Sequence, residues 1–245
     1  MSHDFIYADD WASVYEEITE VRGKITEADD TAAFLERHCS GGNALELGIG
    51  DGRVAVPLSA RGVKVEGIDN SESMLKLLAS RTDVVKARHG DIANFTSLDR
   101  YNAVFCIYNT FMLLYTREAQ IACLRSAASA LKDGGTLAIE IEVPALDGFI
   151  NGQKTTTLLV DQVNTILRTD VHDALRQNLV SSFLWFSETS VRRLAHRVRY
   201  VHHQELDTMA DCAGLKLVER LSDWTGGAFT QASTRNISLY RRSTL

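Results

Sequence analysis

The sequence predicts an α/β protein built on a doubly wound, mostly parallel sheet, and three observations carry that expectation. From Asn43 to about Glu142, short β-rich runs alternate with helical periods, the pattern of strands covered by helices on both faces. The first of these runs, "ALELGIGDGR" from Ala44 to Arg53, breaks into three glycines on alternate positions, a strand-turn-helix signature. Beyond Lys154 the chain turns to β-branched and aromatic residues without long helical periods, which predicts an antiparallel insertion after the fifth strand.

The elements follow in order. Tyr7 to Val21 and Thr26 to His38 read as two helices, forming an N-terminal lid over residues 1–42; Thr26 is a capping residue and acids occupy the following turn. "NALEL" is the first strand, with a helix from about Gly52 to Ala60; "VKVEGID" is the second, with a helix around Glu72 to Ser80. "VVKARHGD", "YNAVFCIY" and "GGTLAIEIEV" supply the third, fourth and fifth strands. Ile121, Leu124, Ala128 and Leu131 fall on one face of a helix that Gly134-Gly135 should stop. Residues 43–150 form the core of this Rossmann-like sheet. Lys154 to His203 read as three or four antiparallel strands, an insertion over 151–203 that covers the active site. A helix from Gln204 to Ala213 ends at Gly214, and "LKLVERL" and "RNISLYRR" within 204–245 add two strands, the C-terminal one antiparallel. One domain over residues 1–245 is expected.

Composition narrows the function. Apolar residues make up 45% and charged residues 24% of the 245 residues, ordinary for a globular chain. A net charge of −6 gives no electrostatic case for nucleic acid or an anionic membrane. No apolar run is long enough for a signal or transmembrane segment, so a cytoplasmic protein is expected, as a monomer or homodimer. Cys39, Cys106, Cys123 and Cys212 are widely spaced, which predicts reduced thiols and no metal knuckle.

The glycine loop asks which nucleotide it serves. A dinucleotide fingerprint wants a glycine at the sixth place from Gly48, where Arg53 stands, and the third glycine arrives early at Gly52. Glu46 and Asp51 in or beside the loop suit a cation better than a diphosphate. Asp69 ends the second strand 21 residues after Gly48, close to the spacing at which an acid takes ribose hydroxyls. Gly90 and Asp91 in "HGDI" place an acceptor where an exocyclic amine of adenine would be met.

These motifs resemble those of the class I S-adenosylmethionine-dependent methyltransferases. "ELGIGDG", "VEGIDNSESML", "HGDI", "YNAVFCIYNTF" and "LKDGGTLAIEIE" match the five family motifs in order over roughly a hundred residues. The resemblance implies S-adenosyl-L-methionine as cofactor. It implies Glu46, Gly48, Gly50 and Gly52 behind its methionine and ribose portions, Asp69 on the ribose, and Asn70, Met74, Gly90, Asp91 and Ile92 about the adenine. Ile107 and Tyr108 would face it near the methyl group, and the lid would add Trp11 and Tyr15. The helical N-terminus and the antiparallel insertion resemble small-molecule N-methyltransferases of secondary metabolism, those acting on amino sugars and those of toxoflavin biosynthesis, whose acceptor is a flat azapteridine. A histidine that some amino-sugar relatives carry after the fourth motif is replaced here by Phe111-Met112-Leu113-Leu114.

A planar, nitrogen-containing small molecule is therefore the expected partner, methylated on nitrogen. Orientation contributes more to such a displacement than a base does, so no catalytic base is assigned and no metal is expected. Tyr7 and Asn109 are positioning candidates; Trp11, Thr110, Phe149, Trp185 and Trp224, with Tyr7 and Asn109, are the candidate substrate contacts. In "FLWF" either Leu184 with Phe186 or Phe183 with Trp185 should face the site. Glu140 and Glu142 either orient the acceptor or ion-pair at the rim, with ion pairing favoured, and "RRLAHRVRYVHH" reads as a charged strand edge. The alternatives are a small-molecule O-methyltransferase, a non-catalytic cofactor-binding module and, more remotely, a dinucleotide oxidoreductase.

Overall fold

The computed structural model describes residues 27–39, 41–98 and 100–242. The first expected helix, with Tyr7, Trp11 and Tyr15, lies outside these residues, as does Thr26. The second is α1 (Ala28–Cys39), with Asp29 and Asp30 in its first turn and Arg37 and His38 in its last, charges that oppose its dipole.

Strands and helices then alternate: β1 (Asn43–Leu47), α2 (Ala55–Ala60), β2 (Lys64–Asp69), α3 (Glu72–Arg81), β3 (Lys86–His89) and β4 (Tyr101–Cys106). A 3-10 turn (Thr110–Leu113), α4 (Arg117–Ala130) and β5 (Leu131–Glu142) complete this part. Ser71 and Thr116 start α3 and α4 by accepting the N–H groups of Met74 and Ala119. Next come β6 (Gln153–Val160), β7 (Thr165–Asp173), β8 (Asn178–Phe186), β9 (Val191–Arg199), α5 (His203–Cys212), β10 (Leu215–Leu221) and β11 (Arg235–Arg242).

The larger sheet has the order β3-β2-β1-β4-β5-β11-β10. Its first five strands pair in parallel, and β11 runs antiparallel between β5 and β10. The chain leaves β1 toward β2 and β3, then resumes on its other side at β4. The switch point therefore lies at the carboxyl ends of β1 and β4, where such sheets bind ligands. Alternate strand residues feed two cores: Leu45, Leu47, Val104 and Ile139 pack toward α4 and α5, and Ala44, Ala103, Phe105 and Ala138 toward α1 and α2. Cys39, Cys106 and Cys123 are buried free thiols, whereas Cys212 is exposed. No helix among the described residues is long and apolar enough to cross a membrane.

The insertion is a second, four-stranded antiparallel sheet in the order β6-β7-β8-β9. We refer to it as the roof.

Several boundaries differ from expectation. The helix expected from Gly52 starts only at Ala55. Gly134-Gly135 do not stop α4, which ends at Ala130; they lie inside β5, where its register against β4 shifts between Tyr101 and Ala103. Gly134 has φ +76°, and a Cβ on Gly135 would stand 3.0 Å from the carbonyl oxygens of Lys132 and Tyr101, so the irregular strand needs both glycines. The fourth strand stops at Cys106 because Tyr108 and Asn109 take φ of 54° and 67°, outside the strand region. His202 and His203, expected at the end of the last roof strand, are not strand residues; His202 precedes α5 and His203 begins it.

The roof is fastened to the core at Arg199, the last residue of β9, which is 7% exposed. Its guanidinium donates to Gln120 Oε1 on α4 at 2.6 Å, to Gln177 Oε1 in the β7–β8 turn at 2.9 Å and to Glu205 Oε1 on α5 at 2.6 Å. Gln120 Nε2 returns a bond to the Arg199 carbonyl, and Gln177 Nε2 donates to the other Glu205 oxygen. A buried charge held this way is costly to orphan. Arg199→Ala is expected to lower stability by about 3 kcal/mol, removing the charged partner of Glu205 Oε1 and the donor to Gln120 Oε1, as measured by urea denaturation.

Candidate functional site

A cavity of about 570 Å³ opens at the carboxyl ends of β1, β2, β4 and β5 and is covered by the inner face of the roof. Gly48, Gly50, Asp69, Asn70, Met74, Gly90, Asp91, Ile92, Tyr108, Asn109 and Thr110 all line it, so the structure gathers most of the expected residues around one space.

At its base, the loop after β1 is fixed by Asp69. Asp69 Oδ2 accepts the Gly50 N–H at 2.7 Å and Oδ1 accepts the Ser71 N–H at 2.9 Å, so one carboxylate ties the glycine loop to the start of α3. Each oxygen keeps acceptor capacity. Burial raises the Asp69 pKa, against the lowering effect of these backbone bonds. Gly48 and Gly50 have φ of +75° and +56°, and a Cβ on Gly48 would collide with Thr110 Cγ2. Gly52 differs: it lies away from the cavity, and a Cβ there would strike Leu78 Cδ1, so it serves the packing of α3 rather than a ligand.

Glu46 and Ile107 line a second, smaller pocket of about 30 Å³ that shares Gly48, Gly50, Tyr108 and Thr110 with the main cavity. Glu46 is buried and its Oε2 has no hydrogen-bond partner among the described residues. Burial holds its pKa well above the usual glutamate value, with Asp51 and Asp69 adding to the rise and Arg53 opposing it. Asp51 is ion-paired, with Arg81 Nη1 2.7 Å from its Oδ2. The Arg53 guanidinium lies 3.7 Å from the Tyr108 ring centroid, closing the pocket from the side.

The wall at the end of β4 is held in its unusual conformation by β5. Glu140 Oε2 accepts the Tyr108 N–H at 3.0 Å, and Asn109 Oδ1 accepts the Glu142 N–H at 2.5 Å. Glu140 is buried and meets Arg235 at 3.3 Å, which forms a two-pronged pair with Glu27 at 2.8 Å on each arm. Glu140 is ion-paired, as favoured, and Glu142 is part of the cavity lining.

The roof corrects the aromatic expectations. Phe149 and Phe183 line the cavity, whereas Trp185 lies further along the same face of β8, donating to Asn164 Oδ1 at 3.0 Å with Arg192 over its ring. Trp224 is core, 3% exposed and edge-on to Phe34 at 5.3 Å. Sequence reasoning missed Tyr115, Arg168, Asp170, His196, Val198 and Tyr200. A signal existed: His196, Val198 and Tyr200 alternate along "RRLAHRVRYVHH", which is an edge strand of the roof, as read, but turns one face inward. Its His196 ring stacks on Phe183 at 5.7 Å.

Comparison with known proteins agrees with this geometry. A family profile described as "Methyltransferase domain" matches residues 44–135, the segment that forms the cavity floor. The structure of the CcbJ methyltransferase from Streptomyces caelestis superposes with a TM-score of 0.92 at 33% identity, over 100% of both chains. The cypemycin N-terminal methyltransferase of a Streptomyces species is 25% identical over 99% of this chain and 100% of its own length. The dTDP-3-amino-3,6-dideoxy-alpha-D-glucopyranose N,N-dimethyltransferase of Streptomyces fradiae is 30% identical over 52% of each chain. With the strand order, the glycine loop and the acid at the end of β2 in place, the chain belongs to the class I S-adenosylmethionine-dependent methyltransferases.

Proposed function

We propose that this enzyme methylates the nitrogen of a non-planar, aliphatic amine in a small molecule. The observation that carries the reading is the charge of the cavity: Asp69, Asp91, Glu142 and Asp170 line it against Lys154 and Arg168. Among the described residues the lining is net negative, which favours a sulfonium and an amine and disfavours anionic acceptors. The names of the cypemycin and amino-sugar relatives, both nitrogen methyltransferases, support the same acceptor atom.

The residues present fit S-adenosylmethionine. Glu46 has an orphaned, buried oxygen at the small pocket, suited to the cofactor's amino group. Asp69 keeps lone pairs for ribose hydroxyls, and Asp91 and Ile92 stand where adenine would lie. Bound there, the cofactor supplies an electrophilic methyl group. The protein's part is to align and desolvate the amine. Asn109 holds the Glu142 backbone, and we assign the Glu142 carboxylate to hold the amine and take its proton.

The azapteridine acceptor expected from sequence loses its support, because neither Trp185 nor Trp224 flanks the cavity and the roof presents charged and hydroxyl groups among its rings.

Two measurements test the reading. Because burial raises the Asp69 pKa, its ionised fraction falls at a higher pH than that of an exposed aspartate. Affinity for S-adenosylhomocysteine should therefore drop on acidification from above the ordinary aspartate range. By calorimetry, Asp69→Asn should weaken binding at pH 7.5 by at least about tenfold and remove that part of the pH dependence. Glu142→Gln should lower kcat/KM for N-methylation of cyclohexylamine about 10²-fold at unchanged S-adenosylhomocysteine affinity; an unchanged rate would remove Glu142 from this role.

A further inference from the structure

At the β7–β8 turn end of the roof, the cavity wall carries a phenol backed by an imidazole. Tyr200, the residue after β9, is 5% exposed and lines the cavity. Its hydroxyl is hydrogen-bonded to His172 Nε2 of β7 at 3.0 Å and to nothing else among the described residues. His172 is half-buried and outside the cavity lining, with the ring centroids of Phe149 and Tyr200 at 5.3 and 5.6 Å. Backbone bonds hold both residues: the Tyr200 N–H donates to the Gln177 carbonyl at 3.0 Å and the His172 N–H to the Gly152 carbonyl at 2.8 Å. Tyr200 thus faces the ligand space and His172 stands behind it.

A phenol has one proton and two lone pairs, so the bond it makes behind decides what it shows in front. Burial raises the Tyr200 pKa, which keeps the phenol protonated. When neutral His172 offers a lone pair at Nε2, the phenol donates backward and only its lone pairs face the cavity. A protonated His172 donates from both ring nitrogens, so the phenol oxygen must accept and its O–H turns into the cavity. Charges on the surrounding elements are engaged elsewhere: Arg199 pairs with Glu205 of α5 at 2.6 Å, Asp173 pairs with Arg176 at 2.8 Å, and Lys154 of β6 donates to the Asp147 carbonyl at 3.0 Å. From β8, Leu179 stands across from His172. His202, edge-on to the Tyr200 ring at 5.7 Å, is the second imidazole beside the pair.

We propose that Tyr200 is a substrate-positioning residue whose hydroxyl oxygen accepts an N–H of the acceptor's ammonium group, and that His172 sets the direction of this bond, so the amine is held while His172 is neutral and rejected once it is protonated. This rests on the reading of the enzyme as an amine methyltransferase and adds a control of the same site. An amine anchored at Glu142 alone can still swing about that contact, and a second acceptor fixes it. Protonation of His172 acts twice: it adds a positive charge behind the phenol, and it points an O–H at an ammonium group that only donates.

The test is calorimetric binding of cyclohexylamine, an ammonium ion throughout, to enzyme saturated with S-adenosylhomocysteine, between about pH 8.5 and about pH 5.5. In the unaltered protein, affinity should fall at least about tenfold on acidification. Binding within that fall should release protons, because a cation that disfavours protonated His172 must expel its proton in turn. Tyr200→Phe keeps the ring and should weaken binding about tenfold at the upper pH, with S-adenosylhomocysteine affinity unchanged. His172→Gln cannot take up a proton; it should match the unaltered protein at the upper pH and lose most of the fall and of the proton release, changes that a merely structural role would not give. His202→Gln should keep both. The His172→Gln profile keeps the test decisive if Tyr200→Phe does not fold. Unchanged affinity in Tyr200→Phe, or an undiminished fall and proton release in His172→Gln, overturns this inference and leaves nitrogen methylation standing. No binding of cyclohexylamine at any pH, together with no N-methylated product from it, overturns both.

Discussion

The cavity exists because Arg199 holds a second sheet over the open edge of the first. An α/β sheet presents its ligand site at the carboxyl ends of its strands, facing water, and displacement at a sulfonium profits from water exclusion. Here the cover is a four-stranded antiparallel sheet, and one guanidinium joins its last strand to α4, α5 and the β7–β8 turn. The bonds converge on a single side chain, so the roof and both helices are set in one relative position. The inward faces of β7, β8 and β9 acquire a function only through that placement.

A second constraint acts at the floor. Two consecutive residues without the freedom of glycine, Tyr108 and Asn109, sit at positive φ at the end of β4, a costly conformation that persists only when its surroundings over-determine it. Glu140 and Glu142 do so through the Tyr108 and Asn109 bonds, and Arg235 and Glu27 carry the tie on to β11 and α1. The backbone turn that lines the cavity is thus anchored to β11, the strand beside β5, and to Glu27, the residue just before the first described helix.

These two constraints sort the carboxylates. Asp51 pairs with Arg81 and Glu140 with Arg235, so both are structural. Asp69 fastens the glycine loop yet remains open to a ligand. Glu46 lines the small pocket, Glu142 lines the cavity at the end of β5, and Asp170, paired with Arg168, lines it from the roof. Acidic residues close together in sequence thereby take different places in the site, decided by what folding packs around each.

By itself, the sequence determined the order and type of the elements and the residues of the floor. Asp69 ends its strand, and Gly48, Gly50 and Asp91 sit in the turns that follow theirs, where local spacing fixes position at a strand's end. Helix and strand ends set by close contact were not legible: Gly134-Gly135 serve an irregular strand because the backbones of Tyr101 and Lys132 approach them, and no local pattern records that approach. Only the tertiary structure decided which aromatics reach the cavity. Phe183 and Trp185 share a face of β8, and alternation cannot tell them apart; their distance along the strand from the open sheet edge does, with Phe183 over the cavity and Trp185 beyond it against Asn164 and Arg192. The substrate half of the site is assembled from strands whose register and docking rest on contacts between residues far apart in the chain, such as Arg199 with Gln120. Period and spacing, being local, carry no trace of them.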